Sequence, residues 1–414
     1  MTPVIFRNAS ILDVVAGNVL GEQDVLVKDG RIRQIGGSVK DSAAVTVDLR
    51  GRVLMPGLCD GHIHAISAHN SFAELQRWSP FYMASRMAEI LRGMLMRGFT
   101  TVRDAGGADW GIASAVEEGY IDGPRILYCG KALSQTGGHG DMRTPGENLE
   151  QCVCCPGLGR ICDGVSEVRK AVRDEVRKGA TQIKLMVSGG IASPTDRINS
   201  TQFSIEEIKA AVEEAEAANI YCMGHAYTAR AIERALECGV RSIEHGNLLR
   251  EETADVFLRK NAFIVPTLVI LFTMAKEGAK HGLPAHVIAK VPEVFEHGTK
   301  ALEICSRRVV KIVYGSDLLG TMQDRQSEEF LIRAEIQKPI DVIRSATSIA
   351  AELFQMEGEI GVVREGARAD LLAVDGDQQR GRDLPEAVQH LHRPHVGRTD
   401  GPHRAQRRRG LLDL

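Results

Sequence analysis

The chain has 414 residues and a mass of 45.1 kDa, 43% hydrophobic and 25% charged, with Lys+Arg 51 against Asp+Glu 54 for a net charge of -3. That size excludes a disulfide-stapled miniprotein, the charge balance argues against nucleic acid or a membrane surface as partner, and no uncharged apolar run reaches the roughly 18 residues of a membrane span. A small-molecule partner is expected, and nine cysteines without framework spacing, behind an N-terminus broken by Arg7 and Asp13, give the expectation of a cytoplasmic protein.

Residues 1–56 read as short alternating strands (VIFRNASILD, DVLVKDGRIRQIG, VTVDLRGRVLMPG) punctuated by Asp29-Gly30 and Gly36-Gly37, the pattern of a small β domain. From Gly57 onward, eight apolar runs ending in polar or glycine residues (GLCDGHIHA, TTVRDAGG, RILYCGKALS, QIKLMVSGG, IYCMGHAYT, RSIEHGN, FIVPTL, KIVYGSD) alternate with stretches of helical periodicity. One helix start, Ser204 with Glu207, has the form of a capping box. Repeated strand–helix units imply parallel pairing, and eight of them close into a (β/α)8 TIM barrel over 57–359, an α/β fold. The strand-like ARADLLAVDG returns within 360–376, so a small β-sandwich domain is expected from both chain ends. Residues 377–414 turn abruptly rich in Arg, His, Pro and Gly and read as a poorly ordered tail.

Barrel strands deliver catalytic groups from their C-terminal ends, where the loops converge on one mouth. His62 and His64 end the first strand, and alternate residues share a side, so both imidazoles can reach one metal. Lys184 lies on the fourth strand, and His225, His245 and Asp317 end the fifth, sixth and eighth. Spacing alone is weak: 13 histidines in 414 residues give about 0.4 His-x-His pairs by chance, and His390 with His392 in the tail is such a pair. The convergence of five strand positions on one mouth singles out the barrel set.

The run VLMPGLCDGHIHA, followed in order by TTVRDAGG, IKLMVSGG, GHAYT, IEHGN and YGSD, resembles the amidohydrolase superfamily of metal-dependent hydrolases across residues 1–376. Within it the chain looks like the prolidase and Xaa-Arg/Lys dipeptidase group, with related enzymes that cleave N-acyl amino acids. The resemblance implies that His62, His64 and Asp317 hold a more buried metal, and His225 with His245 a more exposed one. Lys184, whose ammonium would repel two cations, is implied as a carbon dioxide-derived carbamate bridging them. Imidazole and carboxylate ligands suit zinc. The implied reaction is hydrolysis of an amide bond in a dipeptide with a free carboxylate, or in an N-acyl amino acid, by a metal-bridging hydroxide with Asp317 shuttling the proton.

His139, in the glycine-flanked loop SQTGGHGD, is a candidate for catalysis and substrate binding, and Tyr227 for donating to the substrate carboxylate. Arg197, after GGIASPTD, is a further candidate for pairing with a carboxylate. Cys152, Cys154, Cys155 and Cys162 lack the paired C-x2-C spacing of a structural zinc site, so an ordinary role is expected of them. The run Arg407, Arg408, Arg409 is too short to indicate nucleic acid. The family resemblance implies a homo-oligomer, and it fails after residue 376, where a shifted reading frame is one account. The competing readings are a hydrolytic deaminase or imidazolonepropionase-like ring hydrolase, which normally uses one metal, and a noncatalytic scaffold, which tends to lose ligands.

Overall fold

The computed structural model describes residues 2–149, 152–283, 288, 291–375 and 395–397. Five strands precede the barrel: β1 (Val4–Asp13), β2 (Asn18–Lys28), β3 (Arg31–Gly36), β4 (Val45–Asp48) and β5 (Val53–Pro56). Asp29 and Gly30 take φ of 53° and 70°, the paired left-handed conformation that lets a two-residue turn join the twisted strands β2 and β3. The stretch VTVDLRGRVLMPG is two strands, because Arg50 and Gly51 adopt φ of 52° and 79° between β4 and β5. Both pair parallel to β1, β4 along Val4–Arg7 and β5 at Ser10 and Ile11, so the sheet branches at β1.

The barrel strands follow as β6 (Leu58–Ile63), β7 (Phe99–Asp104), β8 (Arg125–Tyr128), β9 (Ala132–Ser134), β10 (Gly159–Ile161), β11 (Gln182–Met186), β12 (Tyr221–Thr228), β13 (Ser242–Leu248), β14 (Phe263–Val265) and β15 (Lys311–Ile312). They form two parallel runs, β6-β7-β8 and β10-β9-β11-β12-β13-β14-β15. The expected strand RILYCGKALS is divided at Gly130 (φ 70°) into β8 and β9, which together fill one barrel position. Backbone hydrogen bonds from Gly61 to the Tyr314 carbonyl (2.7 Å) and from Thr181 to the Tyr128 carbonyl (2.9 Å) join the two runs on both sides. The fold is thus the expected α/β barrel with an N-terminal strand domain.

Alternation within each strand divides core from mouth. Ile183, Leu185 and Val187 pack outward with Ile208, Ala211 and Val212 of the helix Ile205–Ala217, leaving Lys184 to the barrel interior. Cys222 and Ala226 of β12 do the same against Ala231 and Ile232, leaving His225 inside. The capping box forms at Ser204, whose side chain accepts from the Glu207 amide while the Glu207 carboxylate accepts from the Ser204 amide.

After the barrel, β16 (Leu371–Val374) returns antiparallel to β5, and Ala367, Ala369 and Leu371 share a core cluster with Ala9, Ile11, Val25, Val27 and Ile32. Both chain ends therefore build the small sheet. Its order is β17-β16-β5-β1-β2-β3, with β17 (His395–Gly397) antiparallel to β16. That strand falls inside the segment read as a tail; His390, His392 and Arg407–Arg409 lie outside the described residues. Among the described residues no helix is long and apolar enough to cross a membrane.

Candidate active site

Among the described residues, one set of histidine and acidic ligand atoms converges at the barrel mouth. His62, His64 and Asp317 each offer an atom within 4.8 Å of the others. Asp317 Oδ1 lies 3.3 Å from His64 Nε2 and 3.5 Å from His62 Nε2, and its Oδ2 lies 3.9 Å from His245 Nδ1. The far side of each first-strand ring is anchored: His62 Nδ1 is 2.7 Å from Glu244 Oε2, and His64 Nδ1 is 2.9 Å from the Gly106 carbonyl. A carbonyl only accepts, so His64 Nδ1 carries hydrogen and Nε2 faces Asp317; against burial, the hydrogen bond to that carboxylate raises the imidazole above its ordinary value. Facing acceptors need a proton or a cation between them, and two imidazoles with a carboxylate suit a divalent ion.

The remaining residues of the set surround this group. His245 sits tilted against His62 (ring centroids 5.0 Å) and edge-on to His225 (4.7 Å), with its Nδ1 2.8 Å from the Thr267 hydroxyl. Lys184 is buried on β11, two residues below the level at which Met186 pairs with His225. Burial pushes its amine below the ordinary lysine value, opposed by the negative charges of Glu244 and Asp317. Burial likewise holds His62 and His225 well below the usual imidazole range and His245 at about 4, so these rings stay neutral and ligand-competent. For Asp317, burial opposes ionisation, but His62 and the hydrogen bond with His64 outweigh it and keep the carboxyl well below the usual range.

His139 lies flat against His225, with ring centroids 4.1 Å apart, and its Nδ1 is 3.0 Å from Asp196 Oδ2. Asp196 Oδ2 also accepts from the Gly190 amide (3.2 Å) and the Gln202 side chain (3.1 Å), so one carboxylate ties this loop to the ring. Tyr227 is buried edge-on to His245, at 5.4 Å and 89°. Burial raises its phenol far above the ordinary value and keeps it a hydrogen donor. Arg197 is exposed; it is the neighbouring Asp196 that reaches the site.

Several supporting residues had gone unread in the sequence. Glu244, besides holding His62, accepts from Arg103 Nη2 (2.8 Å) and Ser242 Oγ (2.7 Å), and Arg103 also donates to Ser242 Oγ and the Gly61 carbonyl. Asp60, two residues before His62, accepts from the His62 amide, the Ser316 amide and hydroxyl, and the Gln326 side chain, tying the first strand to the eighth. Burial pushes Asp60 up to about 6. Glu244 adjoins His245 and Asp60 shares the His62 side of its strand, so adjacency was the available signal.

A closed parallel barrel with imidazoles, a carboxylate and a buried lysine at its strand ends defines a hydrolase architecture suited to metal. The chain belongs to the amidohydrolase family, whose sequence profile matches residues 53–397. Ochratoxinase of Aspergillus niger is 33% identical over 357 residues, 82% of this chain and 74% of that relative. A solved prolidase, complexed with N-methylphosphonate-L-proline, is 46% identical with a TM-score of 0.93, covering 97% of this chain and 99% of that one. A Xaa-Pro dipeptidase with methionine bound in its active site is 27% identical with a TM-score of 0.82, covering 95% and 100%. The motif-based resemblance to prolidase-like amidohydrolases therefore holds.

Proposed function

We propose that the protein is a binuclear metallohydrolase that cleaves the amide bond of a dipeptide with a free C-terminal carboxylate, Xaa-Pro first among them. The observation that carries the reading is the convergence of His62, His64 and Asp317, with Lys184, His225 and His245 beside them. In this reading His62, His64 and Asp317 hold one divalent ion and His225 with His245 the other, with zinc the preferred metal. Lys184, its amine lowered by burial, would as a carbon dioxide-derived carbamate supply an anionic ligand to the metals. Metal bound there supplies Lewis acidity, polarising the scissile carbonyl and lowering the pKa of water from 15.7 toward about 7.

The protein's own groups do the rest. Asp317, with Oδ1 toward His62 and His64, leaves Oδ2 to take the proton of the attacking water and return it to the leaving nitrogen. His139, oriented by Asp196, presents Nε2 to the carbonyl oxygen as a donor when the ring carries both protons. The Tyr227 hydroxyl donates to the substrate carboxylate. Similarity to a prolidase crystallised with a proline-containing phosphonate supports placing proline after the scissile bond.

The test is metal per chain in protein grown with zinc and bicarbonate, wild type against Lys184→Ala, with hydrolysis of Xaa-Pro, Xaa-Arg and N-acyl amino acid panels. About two metals, reduced in the variant together with turnover, are expected. One metal indifferent to Lys184, with ammonia released from nucleobase analogues, would replace this reading by the ring-hydrolase one.

A further inference from the structure

The loop that leaves the site at His139 and runs to β10 carries a tight turn in which the Cys155 amide donates to the Cys152 carbonyl (3.2 Å). This turn does what the linear spacing did not promise. The sulfurs of Cys152, Cys154 and Cys155 lie within 4.8 Å of one another, with Cys152 and Cys154 Sγ 2.6 Å apart. All three are exposed, whereas the other six cysteines, Cys162 included, are buried. Cys162 belongs to the hydrophobic core, so the four-cysteine grouping in the sequence resolves into three together and one apart.

A cationic side chain adjoins the turn. Lys131 Nζ donates to the Cys152 carbonyl (3.2 Å), which keeps an ammonium at the cluster. Cys154 and Cys155 line a groove together with Lys131, Lys178 and Glu175.

We propose that Cys152, Cys154 and Cys155 form a metal site separate from the barrel mouth, which takes a thiophilic d10 cation, Zn2+ or Cu+, on three thiolates. Three thiol protons leave to solvent as three sulfur–metal bonds form, and no electron is transferred. Lys131 offsets the negative charge that three thiolates leave on the complex. Zinc–sulfur bonds of about 2.3 Å set tetrahedral sulfurs about 3.8 Å apart. Cys152 and Cys154 therefore open by about 1 Å on binding, a movement that an exposed turn permits. The bound ion would fix the loop that begins at His139.

Cobalt substitution separates this site from the imidazole–carboxylate one, since only thiolates give the intense near-ultraviolet sulfur-to-cobalt charge-transfer band. Full-length protein, reduced and handled without oxygen, is titrated with Co2+ as wild type, as the triple variant Cys152→Ser/Cys154→Ser/Cys155→Ser, and as Cys162→Ser. The expected result is a band saturating at about one cobalt in wild type and Cys162→Ser, absent from the triple variant, and bleached by added Zn2+ or Cu+. Unchanged thermal unfolding and peptidase turnover in the triple variant show that it folds. A band missing from reduced wild type, surviving in the triple variant, or indifferent to both competing ions overturns the proposal, whatever the barrel mouth binds.

Discussion

Gly190 stands where two site imidazoles leave no room for a side chain, and Gly190→Ala tests how tightly their placement is set. A Cβ there would lie 2.3 Å from His139 Cε1, 2.6 Å from His139 Nε2 and 2.8 Å from His225 Nε2. Relief to an ordinary contact of about 3.4 Å requires His139 to retreat by about 1.1 Å and His225 by about 0.6 Å. His139 cannot retreat freely, because Asp196 holds its Nδ1 at 3.0 Å and holds the Gly190 amide at 3.2 Å. A displacement near 1 Å costs on the order of 100-fold in a positioned reaction, about 2.7 kcal/mol of transition-state stabilisation. The fold should tolerate the change, since Gly190 is not among the glycines with positive φ and alanine restricts the unfolded chain. The expected outcome is a fall of about 100-fold in kcat/KM on the panel substrate, with the unfolding midpoint within about 3 °C of wild type. Activity within about threefold of wild type would refute the claim that these two rings must keep their present positions.

Three further outcomes follow from buried charge. Arg103→Leu leaves the Glu244 carboxylate without its guanidinium in a fully buried site, and should lower stability by about 3–5 kcal/mol in calorimetric unfolding; a loss under about 1 kcal/mol contradicts that account. Asp196→Asn removes a charged hydrogen bond from His139, so kcat/KM should drop about 10- to 100-fold with little change in melting; an unchanged pH–rate profile would show that the ring is oriented otherwise. Burial pushes Glu329 up to about 8, so the folded chain keeps a proton that the unfolded chain releases above about 4.5. That stability is fully present below about pH 4.5 and lost as pH rises toward 8; Glu329→Gln should flatten the melting profile between pH 5 and 8, and equal slopes in the two proteins would refute the assignment.

Much of this protein was legible in its sequence because the strand and helix periods are local properties. Ile183, Leu185 and Val187 alternate with Lys184 in the written sequence, and that alone assigns them to helix-facing and interior sides. The capping box at Ser204 and the turn at Asp29-Gly30 formed as read, since each depends on residues within a few positions of one another. The barrel followed from repetition of the unit, and the position of each candidate ligand followed from its place at the end of a strand.

Other features depended on the backbone and on contacts distant in sequence. Alternation alone would send Glu244 and His245 to opposite sides of β13; both serve the mouth because His245 takes φ of 73°, anchored through Nδ1 by Thr267. Asp317 likewise sits at φ 53° after the short strand β15. Partnerships such as Glu244 with Arg103, 141 residues apart, and the division of four nearby cysteines into three exposed and one buried leave no local signature. The sequence by itself determined which strand ends carry the candidate ligands, because periodicity and chain order are written into neighbouring residues. Only the tertiary structure decided which side chains face one another and which charges are buried together, because those depend on how distant segments pack.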